Sequence, residues 1–345
     1  MKRSWVEISL PRLRRNLAAL RQHLAPATAM MAVVKANAYG HGASAVSREL
    51  SRNGVQQFAV ANLQEAIEVR QSAPRAEILV LGGCQAGEEQ EFGKYDLTAA
   101  VFDRRPLPED LKVEIKIDTG MTRLGIPWTE IARCLENQKG RIRGVYSHFA
   151  DADGDIQFTD LQLDRFLEAT EGLPYRRHIC ASTALTLTRG HLDMVRLGLS
   201  LFGICSLPEV DYIEPILSWK TLVLTILDVP VGRDIGYGRT FSTSRPSRVG
   251  VLSVGYADGY RRNLSGRGQV RIQGRLHPIV GRVSMDLTSV DLTDAPEVQV
   301  GEEVTILEAD ADSPISAAGL ARMLGTIPYE ILTTIGSRVE RTYFE

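Results

Sequence analysis

The chain has 345 residues, 44% of them hydrophobic and 24% charged, with a formal net charge of −2. That is ordinary for a folded globular chain and long enough for one large domain or two. The near-balance of charge excludes the basic face of a nucleic-acid binder and the polybasic tail of a membrane-surface protein.

The first residues, MKRSWVEISLPRLRRN, start basic but lack the apolar stretch of roughly 7–15 residues that a secretory signal needs. No apolar run reaches about 18 residues, so no membrane span is predicted. Cys84, Cys134, Cys180 and Cys205 lie far apart without a CxxC pair. They read as reduced, mostly packed thiols of a cytoplasmic protein, and no metal site is expected from them.

Apolar runs suited to buried strands recur at 29–34, 57–60, 77–81, 97–101, 112–117, 142–147, 177–180 and 194–197. Most are followed by helical periodicity. SAVSRELSRNG stops at Gly54, NLQEAIEVRQS opens on an asparagine cap, and FTDLQLDRFLEAT spaces apolar residues three and four apart. Alternating strands and helices argue for a parallel sheet, and eight such strands in about 200 residues predict a (β/α)8 TIM barrel. An open doubly wound sheet is the alternative, weakened because no GxGxxG opens the first strand-to-helix turn. Between Val101 and Leu111 stands FDRRPLPED, with two prolines. That is short for a parallel crossover, so one barrel helix is expected to be missing there.

From about residue 216 the texture changes. Strand-like runs such as RVGVLSVGYAD, QVRIQGRLHPIVGRVSMDLTSVDL and EEVTILE are separated by glycine and proline, and SPISAAGLARMLG is the main helical signal. The predicted organisation is therefore α/β, with a barrel over 1–215 and a mostly-β domain over 216–345. The strand-like SWVEISL near the start is free to join either.

Polar residues collect after the barrel strands, where barrel active sites lie. AVVKANAYGHG places Lys35 and Tyr39 after the first strand, and KIDTGMTRLG places Lys116, Asp118 and Arg123 on and after the fifth. YSHFAD gives His148, HICAST gives Ser182, and MVRLGLSLFG gives Arg196 and Gly198. Singly, each reads as a surface charge or a packed ring. Together they make a rim of cations and hydroxyls that suits an anion such as phosphate. A lysine among cations loses its proton more easily and can form a Schiff base. The cofactor that uses a lysine Schiff base and a phosphate pocket is pyridoxal 5'-phosphate.

AVVKANAYGHG resembles the cofactor-lysine motif of the bacterial alanine racemases, fold type III pyridoxal phosphate enzymes. The resemblance covers nearly the whole chain, through WVEISLPRLRRNL, KIDTGMTRLG, SHFADAD, VRLGLSLFG, GYGRTF, SVGYADGY, GRVSMDLTSVDL and PYEILTTIGSRV. It implies that Lys35 holds the cofactor and acts as one catalytic base, with Tyr237 of the partner subunit as the other. It implies that Arg196 contacts the pyridine nitrogen with support from His148. Tyr39, Ser182, Tyr329 and the backbone at Gly198 and Leu199 would bind the phosphate. Arg123 and the Met285–Asp286 segment would receive the substrate carboxylate, and Tyr256 would narrow the entrance, with Arg262 beside it. In many members the lysine matching Lys116 is carbamylated and helps fix the arginine matching Arg123. The implied function is interconversion of L- and D-alanine by an obligate homodimer with shared sites, feeding peptidoglycan.

The chemistry is coherent. Racemisation needs an acid–base group on each face of Cα. Lysine and tyrosine ordinarily titrate near pH 10, and nearby positive charge favours neutral amine and phenolate. An arginine at the ring nitrogen keeps its own proton, so that nitrogen stays unprotonated, which weakens the electron sink and limits side reactions. The departures from the family are the short 102–110 crossover, a compact GHLDMVRLG approach to Arg196, and Ser284 where some members have cysteine. The rivals are a racemase of serine, lysine or arginine, a decarboxylase of the same fold, and a non-catalytic cofactor carrier, which would lack the β domain. His23, His178, His191 and His277 read as surface or packing residues, and His41 as closing the loop after Tyr39.

Overall fold

A computed structural model describes residues 3–204, 210 and 213–345. Cys205 lies outside them. The described chain divides into two compact units. One is built from Arg14–Ala38 and Gly42–Ile213, the other from Met1–Leu13, Tyr39–His41 and Glu214–Glu345.

The first unit is the predicted barrel. Its parallel strands are Ala29–Val33, Gln57–Val60, Glu77–Val80, Thr98–Val101, Lys112–Asp118, Arg141–Tyr146, Arg176–His178 and Met194–Leu197. They pair in sequence order, and the eighth returns beside the first, with Met194 opposite Ala29 and Arg196 opposite Met31. The seventh and eighth meet through the bridge Ala181–Arg196, where Arg196 N–H donates to the Cys180 carbonyl at 3.0 Å. Strands covered on both faces tend to near-continuous apolar runs. Phe58, Ala59 and Val60 are accordingly fully buried.

The helices carry their start signals in the sequence. Asn62 caps Leu63–Ser72 by accepting from Glu65 N–H at 3.0 Å, and Asp155 caps Ile156–Ala169 by accepting from Phe158 N–H at 2.9 Å. No helix occurs between Val101 and Lys112. Buried Leu107 covers the gap there, its N–H donating to Gln138 Oε1 at 2.9 Å. The chain between the seventh and eighth strands likewise uses only the 3-10 turns Ser182–Ala184 and Thr188–Gly190. A Cβ at Gly190 would stand 2.9 Å from Cys180 Sγ, so this compact path needs glycine.

The second unit is mostly strand. Leu217–Val229 runs through it and pairs antiparallel with Ser4–Ser9, Ser247–Leu252 and Glu303–Leu307. Ser4–Ser9 also pairs parallel with Glu340–Phe344, so the N-terminal strand joins the β unit. Trp219 Nε1–H donates to Ser4 Oγ at 2.7 Å, and its ring meets fully buried Tyr260 edge to face at 5.9 Å. Ser316 caps the helix Ala317–Leu324, which ends on left-handed Gly325. Among the described residues no helix is long and apolar enough to cross a membrane.

Candidate active site

The first barrel strand delivers Lys35 to the mouth, and the chain then turns against its normal hand. Ala36, Asn37, Ala38 and Tyr39 have φ of 51°, 54°, 51° and 52°. Each such residue costs about 1–2 kcal/mol, so the surroundings must hold the turn. Glu65 does so with both oxygens, accepting from Ala36 N–H at 2.8 Å and Ala61 N–H at 2.7 Å. Asn37 Oδ1 accepts from Ala43 N–H at 2.8 Å.

The fifth strand alternates. Val113, Ile115 and Ile117 are buried apolar residues, while Glu114, Lys116 and Asp118 share the other face. Lys116 is pushed down to about 8 by burial and then by Arg123 and Arg196. Burial and Arg123 also lower the Lys35 amine, against the pull of Glu65. His148 is driven down to about 3 by burial, with Arg196, Arg123, Lys116 and Lys35 adding to it, so it stays neutral at ordinary pH. The predicted rim residues Lys35, Lys116, Arg123, His148 and Arg196 thus share one electrostatic neighbourhood.

The Lys116 shift has a thermodynamic consequence. Its folded pKa lies below the ordinary 10.5, so between about 8 and 10.5 the unfolded chain binds more protons there. The stability this site contributes is complete above that window and lost as pH falls through about 8. In carbon dioxide-free buffer, wild type is expected to gain on Lys116→Met in urea midpoint as pH rises through the window. A gap independent of pH contradicts the shift.

Arg196 is buried and both its terminal nitrogens are held. Nη1–H donates to His178 Nδ1 at 2.6 Å and the His178 carbonyl at 3.2 Å. Nη2–H donates to the Ser147 carbonyl at 2.7 Å, the Ile179 carbonyl at 3.0 Å and His148 Nδ1 at 3.2 Å. His148 thus lies within hydrogen-bond reach of Arg196, and His178 bonds more closely. Beside this, Ser182 Oγ accepts from Gly198 N–H at 3.0 Å, Ser200 N–H at 3.5 Å and Ser200 Oγ at 2.9 Å. Leu199 opens the next 3-10 turn, Leu199–Phe202.

The remaining predicted residues lie in the second unit. Tyr39 and Tyr329 meet edge to face at 5.9 Å. Tyr237 opens the turn Tyr237–Arg239 and is 73% exposed. Tyr256 N–H donates to the Ser284 carbonyl at 3.0 Å and Ala257 N–H to the Met285 carbonyl at 2.9 Å. A Cβ at Gly255 would strike both carbonyls at 2.4 Å, so glycine permits this approach. The Asp286 carboxylate is occupied by Arg338 at 2.7 Å, and its carbonyl accepts from Arg3 at 2.6 Å. Arg262 lies in the turn Arg262–Leu264, and its carbonyl accepts from the Ser265 hydroxyl.

Two residues escaped the sequence reading. His178 is fully buried, and Glu114 accepts from its Nε2–H at 2.8 Å. The available signal was the polar alternation Glu114, Lys116, Asp118 within an otherwise apolar strand.

The chain as a whole matches a known family. Residues 8–206 match the model of the alanine racemase N-terminal domain and residues 216–343 that of the C-terminal domain. An alanine racemase of Methylacidiphilum infernorum is 37% identical over 99% of this chain and 92% of its own length. A Bartonella henselae alanine racemase solved with covalently bound pyridoxal phosphate is 29% identical, with a TM-score of 0.89 over the whole of both chains. A Bacillus anthracis alanine racemase solved with bound L-Ala-P is 32% identical, with a TM-score of 0.90 over 100% of this chain and 96% of that one.

Proposed function

This chain belongs to the alanine racemase family, and from that premise we propose that it interconverts L- and D-alanine with pyridoxal 5'-phosphate held at Lys35, supplying D-alanine for peptidoglycan. The observation that carries the reading is the field around that lysine. Burial first, and then the cations Arg123, Arg196 and their neighbours, lower Lys35, Lys116 and His148, a sign that positive charge is crowded at the rim. An anionic cofactor with a phosphate group relieves that charge. Ser182 and the backbone at Gly198 and Leu199 would take the phosphate with Tyr39 and Tyr329, and Arg196 would take the ring nitrogen.

When bound, pyridoxal phosphate supplies an electron-withdrawing ring that stabilises the electron pair left as Cα loses its proton. Lys35 Nζ takes or returns that proton on one face, and Tyr237 Oη of the partner subunit does so on the other. Neighbouring cations keep the Lys35 amine ready to accept a proton. Arg196 keeps its own proton and therefore leaves the ring nitrogen unprotonated. Arg123, with the backbone of Met285–Asp286, would hold the substrate carboxylate. Lys116, pushed down to about 8, suits carbamylation and would then fix Arg123. Tyr256 and Arg262 would shape the entrance.

The reading makes the active molecule a homodimer in the cytoplasm, with a barrel domain and a mostly-β domain that serves the partner's site, the first strand Ser4–Ser9 belonging to the latter. The buried free thiols Cys84, Cys134 and Cys180 suit a reducing compartment. Borohydride reduction of the full chain with pyridoxal phosphate tests the cofactor assignment. Peptide mapping is expected to find the pyridoxyl group on Lys35. Labelling at another lysine, or none, contradicts it.

A further inference from the structure

The interior of the barrel carries a buried chain of charges below the residues already assigned. Glu114 stands two positions before Lys116 on the same face of the fifth strand, about 7 Å deeper by strand rise. It is 3% exposed, and its Oε2 lies 2.8 Å from Nε2 of the fully buried His178. His178 in turn accepts from Arg196 at 2.6 Å.

The protons in this chain are fixed by its ends. Arginine has only donors, so the His178 nitrogen facing it must present a lone pair. The proton therefore sits on Nε2 and points at Glu114, whose carboxylate accepts it. Burial resists ionisation of Glu114, but His178, Arg176 and Arg196 hold its carboxyl below the usual range. Burial also lowers His178. The chain then reads as guanidinium, neutral imidazole and carboxylate, with the charges at its two ends balanced. A buried guanidinium without a counter-charge is costly, and Glu114 supplies one through a single ring.

The surrounding packing is built for this arrangement. The Tyr146 ring stacks on the His178 ring at 5.0 Å and 5°, and the Arg196 guanidinium lies 5.3 Å from the Tyr146 ring centre. On the adjacent strand Gly144 faces Glu114 in register. A Cβ at Gly144 would stand 3.2 Å from the Glu114 carboxyl, so that glycine makes room for it.

We propose that Glu114 is a positioning residue of the racemase site, whose buried carboxylate acts through His178 to orient Arg196 toward the cofactor and to balance its charge. This rests on the reading that Arg196 serves the pyridoxal phosphate ring. The arrangement makes the imidazole a fixed coupler, so that losing the carboxylate alters a group it never touches.

The test uses the full chain with and without pyridoxal phosphate. Histidine-selective nitrogen NMR of wild type is expected to show His178 neutral with its proton on Nε2 in both forms. Glu114→Gln is expected to lose that single tautomer and to raise the pyridoxal phosphate dissociation constant about tenfold, as for loss of one charge-assisted partner. A wild-type His178 that is charged, or protonated on Nδ1, overturns the proposal, and it does so without any variant that must fold. Tight cofactor binding by wild type, unchanged in Glu114→Gln, overturns it while leaving the racemase reading intact. A wild type that binds no pyridoxal phosphate overturns the racemase reading, and the role toward the cofactor with it.

Discussion

Lys35→Ala is expected to lower alanine racemisation by at least about 10⁴-fold, because one side chain is lost both as cofactor anchor and as proton carrier. The fold should survive. Lys35 stands at the mouth end of a strand, and removing its charge relieves the crowd around Arg123 and His148. Lys35→Arg is expected to be as inactive, since a guanidinium keeps its proton and cannot take the amine's place. Steady-state rates in both directions, with thermal unfolding of each variant, check this. A folded Lys35→Ala protein within about tenfold of wild type would remove Lys35 from the chemistry.

Tyr237→Phe is expected to cost about 10²–10⁴-fold in racemisation, the usual contribution of one acid–base group. The tyrosine is 73% exposed in its own unit, so loss of its hydroxyl should leave folding unchanged. The defect should be one-sided at the level of Cα. With Lys35 intact, one enantiomer should still exchange its α-hydrogen with deuterated solvent, while the other does not. Equal exchange of both enantiomers contradicts a separate base for each face. Subunit sharing has its own signature. Lys35→Ala and Tyr237→Phe chains, each nearly inactive, should regenerate intact sites when mixed under conditions of subunit exchange. Proven heterodimers without recovered activity would rule out a site completed by the partner.

The barrel was legible because covering a strand on both faces favours largely apolar runs, which recur along the sequence, although the fifth strand alternates and the seventh reads Arg176–His178. The bare crossover after Val101 was legible from its length and prolines. The left-handed turn after Lys35 was not. Ala36–Tyr39 contains no glycine, and Glu65, which holds the turn, lies 29 positions from Ala36. His178 was read as packing for a similar reason. Alone in a short strand it carries no sign of function, and its partners Glu114 and Arg196 stand 64 and 18 positions away. The rim cations, by contrast, could be collected because barrel topology brings strand ends together wherever they fall in sequence. The roles given to Tyr237, Tyr256, Met285 and Asp286 came from family resemblance, since neither spacing nor composition singles them out. For Asp286 the structure adds that Arg338 occupies its carboxylate and Arg3 its backbone carbonyl.

The decisive measurement is the amount of D-enantiomer formed when the purified chain, loaded with pyridoxal phosphate, is incubated separately with L-alanine, L-serine, L-lysine and L-arginine. Chiral chromatography reads it directly. The expected result is rapid conversion of alanine, well above the other three. Comparable conversion of several would make the chain a broad-specificity racemase. No conversion by a dimer with cofactor bound would contradict the assignment of racemase activity to Lys35 and Tyr237.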